Sequence, residues 1–170
     1  VNKSDDGPAH ANGALPVIHL SQLLRAPVLT RSGDTVGRVE DVIVRLRGDR
    51  YPLVAGIVAG VGGRQVFIGS SAIQEFAPGR VVLAKYKVDL RAFERREGEV
   101  LLRADVLGHR LIDVAAGELV RAYDVELVHM GEGWVVARLD TRRPPRLFGL
   151  LKASGGHAAR DWKLFEPLIG

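Results

Sequence analysis

Carboxylates lead the short list of residues in this chain that could do chemistry. Glu40 and Asp41 are adjacent, and Asp124 is followed two positions later by Glu126. Carboxylate oxygens are hard ligands, so Asp41, Asp124 and Glu126, with Glu40 beside them, are the candidate ligands for Mg2+ or another divalent cation. Successive residues of a strand point to opposite faces, so Glu40 and Asp41 do not easily share one ion. An Asp at a strand corner also accepts backbone N–H bonds. A structural cap or a solvated charge is therefore the competing reading at each position, and no cofactor is required.

Other chemistries find less to work with. His10, His19, His109, His129 and His157 show no H-E-x-x-H or comparable ligand spacing, and Ser70-Ser71 lacks the G-x-S-x-G elbow of a serine nucleophile. The chain has no cysteine, which removes disulfides, thiolate catalysis and thiolate metal sites. Gly33 and Gly37 do not make a phosphate loop, because such a loop ends in Lys-Ser/Thr and opens a helix, whereas a strand pattern follows here. Gly60, Gly62 and Gly63 likewise sit between two β-type runs and read as a hairpin with a kinked strand. No catalyst is nominated, and the expectation is a non-enzymatic protein.

The net charge of +4 raises a different chemistry, the neutralisation of phosphates by arginine. Arg45, Arg47 and Arg50 share one predicted hairpin, and Arg142, Arg143 and Arg146 flank a Pro-Pro step. These six form the candidate basic contact surface. Acidic residues are interspersed and aromatics are few, which favours a solvated Arg-rich face over a specific nucleic-acid site.

The elements that must carry these residues are mostly short strands. At 170 residues and 46% hydrophobic content the chain can build one medium domain or two small ones. No apolar run approaches the roughly 18 residues of a membrane helix, and VNKSDDGPAHANGA lacks the apolar core of a secretory signal. A cytoplasmic protein with a flexible leader over residues 1–14 is expected. PVIHLSQLL predicts a strand end and a short helical turn. VLTRSGDTVGRVEDVIVRLRG predicts a strand, a Gly33-Asp34 turn and a long strand with Val42, Val44 and Leu46 on its core face and Ile43, Arg45 and Arg47 on the other. LVAGIVAGV, the Gly62-Gly63 hairpin and QVFI follow; Ser70 or Ser71 could cap a single turn, and Pro78-Gly79 leads into RVVLA. Short strands with glycine corners favour a small closed barrel.

The pattern occurs twice. RLIDVAAGELVRAYDVELVHMGEGWVVARLD repeats the order of strands and turns at a spacing of about 83 residues, with Asp41-Val42 against Asp124-Val125 and Tyr51 near Trp134. A one-residue gap near Gly117 is needed, and VDLRAFERREGEVLLRADVLG between the copies predicts two short helical pieces. Leu90, Phe93, Leu101, Leu102 and Leu107 are their apolar positions. The tail, from Arg142 through SGGHAAR to DWKLFEPLIG, is expected to finish the second copy.

The segment VLTRSGDTVGRVEDVIVRL, followed by an apolar strand, a hairpin and FIGSSAI, resembles a PRC-barrel domain. This is the small β-barrel of photosynthetic reaction-centre H subunits and of the ribosome-maturation factor RimM. Its G-x-x-V-G-x-V-x-D-V pattern falls on Gly33, Val36, Gly37, Val39, Asp41 and Val42. In the second copy Arg121 stands where the family glycine is expected. Two such units with this connector resemble the N-terminal region of actinobacterial MgtE-like magnesium transporters that carry CBS domains. The resemblance implies a mainly β fold of two PRC-type barrels in tandem, residues 15–88 and 109–170, joined by a partly helical connector over 89–108. The second would run on into a further domain. It also implies a regulatory or interaction module whose partners are downstream domains, another protein or a second copy, with contact to a membrane only through other parts of a longer protein. The alternatives are an RNA- or ribosome-associated adaptor similar to the RimM barrel and a divalent-cation sensor.

Overall fold

The computed structural model describes residues 15–84, 91–142 and 159–167. The 1–14 leader, Leu90, His10, His157, Arg143, Arg146 and the chain's last three residues lie outside them.

The chain is mainly β, and glycine-bearing turns divide it. Strand β1 (Val17–His19) runs into a single helical turn, α1 (Leu20–Leu23), and then β2 (Pro27–Leu29), as PVIHLSQLL predicts. Gly33, at φ 93°, turns the chain into β3 (Thr35–Arg47). The Thr30 and Ser32 hydroxyls and the Asp34 carboxylate tie this corner together. A two-residue connection leads to β4 (Arg50–Val61). Gly62 and Gly63, both with positive φ, join β4 to β5 (Arg64–Gly69) in the expected hairpin. A 3-10 turn (Ser70–Ala72) precedes β6 (Ile73–Ala77), and Pro78-Gly79 turns into β7 (Arg80–Leu83). Gly69 is the residue that caps the 3-10 turn, without a side-chain bond, so neither Ser70 nor Ser71 is the cap.

Short strands β8 (Arg91–Ala92) and β9 (Glu99–Leu101) come next, followed by a π turn (Leu102–Val106). One helical piece, not two, is found among the described residues of the predicted connector. The remaining strands are β10 (Arg110–Asp113), β11 (Glu118–Arg121), β12 (Asp124–Met130), β13 (Gly133–Asp140), β14 (Ala159–Asp161) and β15 (Phe165–Pro167), with a 3-10 turn (Trp162–Leu164) before the last.

Twelve strands form one sheet, nearly closed and barrel-like, in the order β1-β12-β13-β4-β3-β2-β7-β6 with β5, β8, β9 and β14 attached. The others form a small sheet, β11-β10-β15. Repeat positions have matching hydrogen bonds. Leu24 N–H reaches Leu20 O and Leu107 N–H reaches Leu102 O; Arg25 N–H reaches Val39 O and Gly108 N–H reaches Ala122 O. Val28 pairs with Gly37 in β2–β3, and Leu111 pairs with Val120 in β10–β11. This register makes Val120 the repeat counterpart of Gly37, one position before the Arg121 expected from the sequence. Further upstream, the π turn's five residues against the four of α1 account for the one-residue change in spacing between the Leu20–Leu102 and Leu24–Leu107 equivalences.

The first strand of each copy pairs across to the other. Strand β1 lies antiparallel to β12, with Ile18 opposite Leu127, while β9 lies antiparallel to β3, with Val100 opposite Val44. The copies also meet where Val135 of β13 pairs with Leu53 of β4. Backbone bonding therefore crosses the division expected between the two repeats. A single core cluster follows, in which Leu20, Val42, Val44, Leu102, Val125 and Leu127 from both copies are almost wholly buried. Each such Leu contributes about 1.5–3 kcal/mol relative to exposure. At the centre of β3 both faces are covered. Val42 and Val44 join the shared core cluster as the alternation predicts, Ile43 is buried outside that cluster, and Leu46, expected on the core face, is exposed.

Candidate functional site

The two repeat-equivalent aspartates occupy equivalent places at the crossover. Asp41 is 5% exposed and begins the buried stretch of β3. Its Oδ1 accepts the N–H of Val42 at 2.8 Å and of Arg103 at 2.7 Å, and its Oδ2 accepts the N–H of Ala104 at 3.0 Å. The latter two donors open the π turn and have no partner within it. Asp41 therefore caps a turn that belongs to the other copy. Burial raises its pKa above the ordinary aspartate value, against the three N–H bonds and the Arg103 charge, which lower it.

Asp124 does the reciprocal work. Its Oδ1 accepts from its neighbour Val125 at 2.8 Å and from Ser21 N–H at 3.1 Å, while its Oδ2 accepts from Ser21 Oγ at 2.5 Å. Ser21 lies in α1, at the first copy's counterpart of Arg103. His19 Nδ1 lies 3.8 Å from Asp124 Oδ2.

The carboxylates do not converge. Glu40 accepts from Gln65 Nε2 at 2.6 Å, and Glu126 faces Arg138 at 3.3 Å. Among the described residues no three His, Asp or Glu side chains come together as a metal-holding group. Of the remaining histidines, His129 stacks edge-on against Trp134 and His109 is exposed.

The predicted basic surface divides. Arg47 donates through Nε and Nη2 to the Tyr51 carbonyl at 3.1 and 2.9 Å and through Nη1 to Glu132, so it staples the β3–β4 hairpin to the β12–β13 turn. Arg50 joins the same Glu132 at 3.6 Å, and Arg45 lies 3.8 Å from buried Glu99. Arg45 and Arg50 keep most of their surface exposed. Arg142 is exposed at the end of the described β13 region.

Sequence reasoning missed two groups. Asp113, fully buried at the end of β10, accepts Ala116 N–H at 3.0 Å and pairs with Arg160 of β14. Arg25, Arg38 and Arg103 border one cavity of about 560 Å3. Both groups are built from positions far apart in the chain, so no local spacing announces them. No helix among the described residues is long and apolar enough to cross a membrane. Compared with known proteins, the chain matches no protein-family model and no curated protein.

Proposed function

We propose that this protein is a non-enzymatic, cytoplasmic interaction or regulatory module of a magnesium-transporter-like protein, built on two PRC-type barrel units. The observation that carries the interaction reading is the reciprocal capping. Asp41 and Asp124, the acidic residues best placed for chemistry, each spend both oxygens on hydrogen-bond donors of the opposite copy or of their own strand. The copies are thereby held as one rigid body that presents loops and the Arg45–Arg50 hairpin to a partner. The link to magnesium transport rests on the resemblance of residues 33–42 and of the repeat organisation.

The ion-sensor alternative draws less support, because its nominated ligands are already engaged and point to separate places. The RNA-adaptor alternative retains the exposed arginines. Fractionation of native cells with an antibody against this chain separates these readings. A membrane-bound product that co-purifies with Mg2+ transport activity is expected. Co-sedimentation with ribosomal particles would replace the proposal by the adaptor, and a product associated with neither would overturn it.

A further inference from the structure

A cavity of about 560 Å3 opens where the end of α1 meets β3 and the π turn, lined by Leu24, Arg25, Arg38, Val39, Glu40 and Arg103. Three arginines line it against one acidic residue, Glu40, whose carboxylate already accepts from Gln65. Among the described residues none of these arginines has an acidic partner at ion-pair distance. Asp41, outside the lining, spends its oxygens on backbone N–H groups and also feels the charge of Arg103. Arg38 is held in place by its Nη1 bond to the Arg25 carbonyl at 3.0 Å.

The backbone supplies a second, independent observation. Arg25 has φ 66°, the only positive φ of a non-glycine residue among those described. Its counterpart in the other copy is Gly108, at φ 79°. Glycine adopts this conformation without steric cost, whereas a long side chain there is strained. Strain of this kind persists where the surrounding structure over-determines it, and such places cluster at ligand clamps. Arg25 and Arg38 come from the first copy and Arg103 from the second; their counterparts are Gly108, Arg121 and Ser21, and that of Glu40 is Tyr123, so the three-arginine cluster forms at one of the two equivalent junctions.

We propose that this notch binds a small phosphate-bearing molecule, its oxyanion held by Arg25, Arg38 and Arg103 and a hydrogen-bond donor of the same ligand taken by Glu40. Guanidinium forks suit a tetrahedral oxyanion because they donate paired hydrogen bonds in a fixed plane. The volume lies within the roughly 300–1,000 Å3 of small-ligand sites. The inference stands independently of the link to magnesium transport.

Calorimetric titration of the 170-residue chain with inorganic phosphate and with AMP, at ionic strength held constant with chloride, tests it. Saturable binding is expected, weaker by about tenfold or more in Arg103→Ala and in Arg25→Gly. Arg25→Gly should meanwhile keep or raise the thermal midpoint, since glycine is the relaxed residue at that φ, and this separates lost binding from lost folding. Absence of saturable binding beyond matched chloride would overturn the proposal, as would equal affinity in both variants. Binding confined to an RNA oligonucleotide, steeply salt-dependent and not competed by phosphate, would overturn it in favour of a nucleic-acid surface.

Discussion

The two copies share a backbone hydrogen-bond scheme and differ in what fills it. In the first copy β3 runs unbroken from Thr35 to Arg47; its counterpart splits into β11 and β12 at Ala122-Tyr123. The unbroken strand crosses β4 so closely that a Cβ on Gly37 would run into the Gly60 carbonyl. At the equivalent place the second copy carries Val120, because β11 has left the large sheet for the small one. The caps differ too: Asp41 is buried, while the Asp124 side chain keeps 20% of its surface. Equivalent backbone bonds therefore tolerate unequal side chains wherever the surrounding sheet no longer crowds them.

The largest effect should come from transplanting one copy's residue into the other. Gly37→Val introduces the residue found at Val120 and forces β3 from β4; denaturant unfolding should show a loss of about 2–4 kcal/mol. The reverse change, Val120→Gly, removes a half-buried side chain without a clash and should cost about 1–2 kcal/mol, and a loss exceeding that of Gly37→Val would break the comparison. Asp41→Ala leaves orphaned N–H groups in a buried place and should cost about 2–3 kcal/mol, against about 1 kcal/mol for Asp124→Ala at its more exposed site.

Asp41 also distinguishes the copies by pH. A carboxyl held above its ordinary value binds its proton more readily in the folded state than in the unfolded state. Its contribution to stability is full below the ordinary aspartate value and is lost as pH rises through the folded value. Unfolding free energy measured upward from about pH 4 should decline by an increment that Asp41→Asn flattens. The smallest effect belongs to the exposed Glu132 hub, where Glu132→Ala should change stability by about 0.5 kcal/mol and less at high salt. A loss several times larger would identify the hairpin contact as a principal link between the copies.

Much of the fold was legible because its signals are local. Gly62-Gly63 and Pro78-Gly79 adopt the turns their φ preferences require, and PVIHLSQLL forms the strand and helical turn that its pattern predicts. In β3 the alternation of Val42, Ile43 and Val44 holds, but the burial of Ile43 and the exposure of Leu46 were not foreseen, because what covers each face depends on neighbouring strands. The glycine counterpart was placed at Arg121 instead of Val120 because the gap assumed near Gly117 shifts the strand by one residue, and only the pairing of Val28 with Gly37 and of Leu111 with Val120 fixes that register. The candidate site was less visible still. Asp41 and Asp124 could be nominated from residue type, but their donors, on Arg103, Ala104 and Ser21, are distant in sequence.

Residue order alone determined the mainly β character, the glycine corners and the repeat at about 83 residues, since these follow from side-chain periodicity and backbone freedom. Tertiary structure alone decided which copy each first strand joins, which aspartate is buried, and that Arg25, Arg38 and Arg103 share a cavity. Those outcomes depend on contacts between distant segments, and a strand's pattern of apolar residues specifies that it must pair without specifying with which partner.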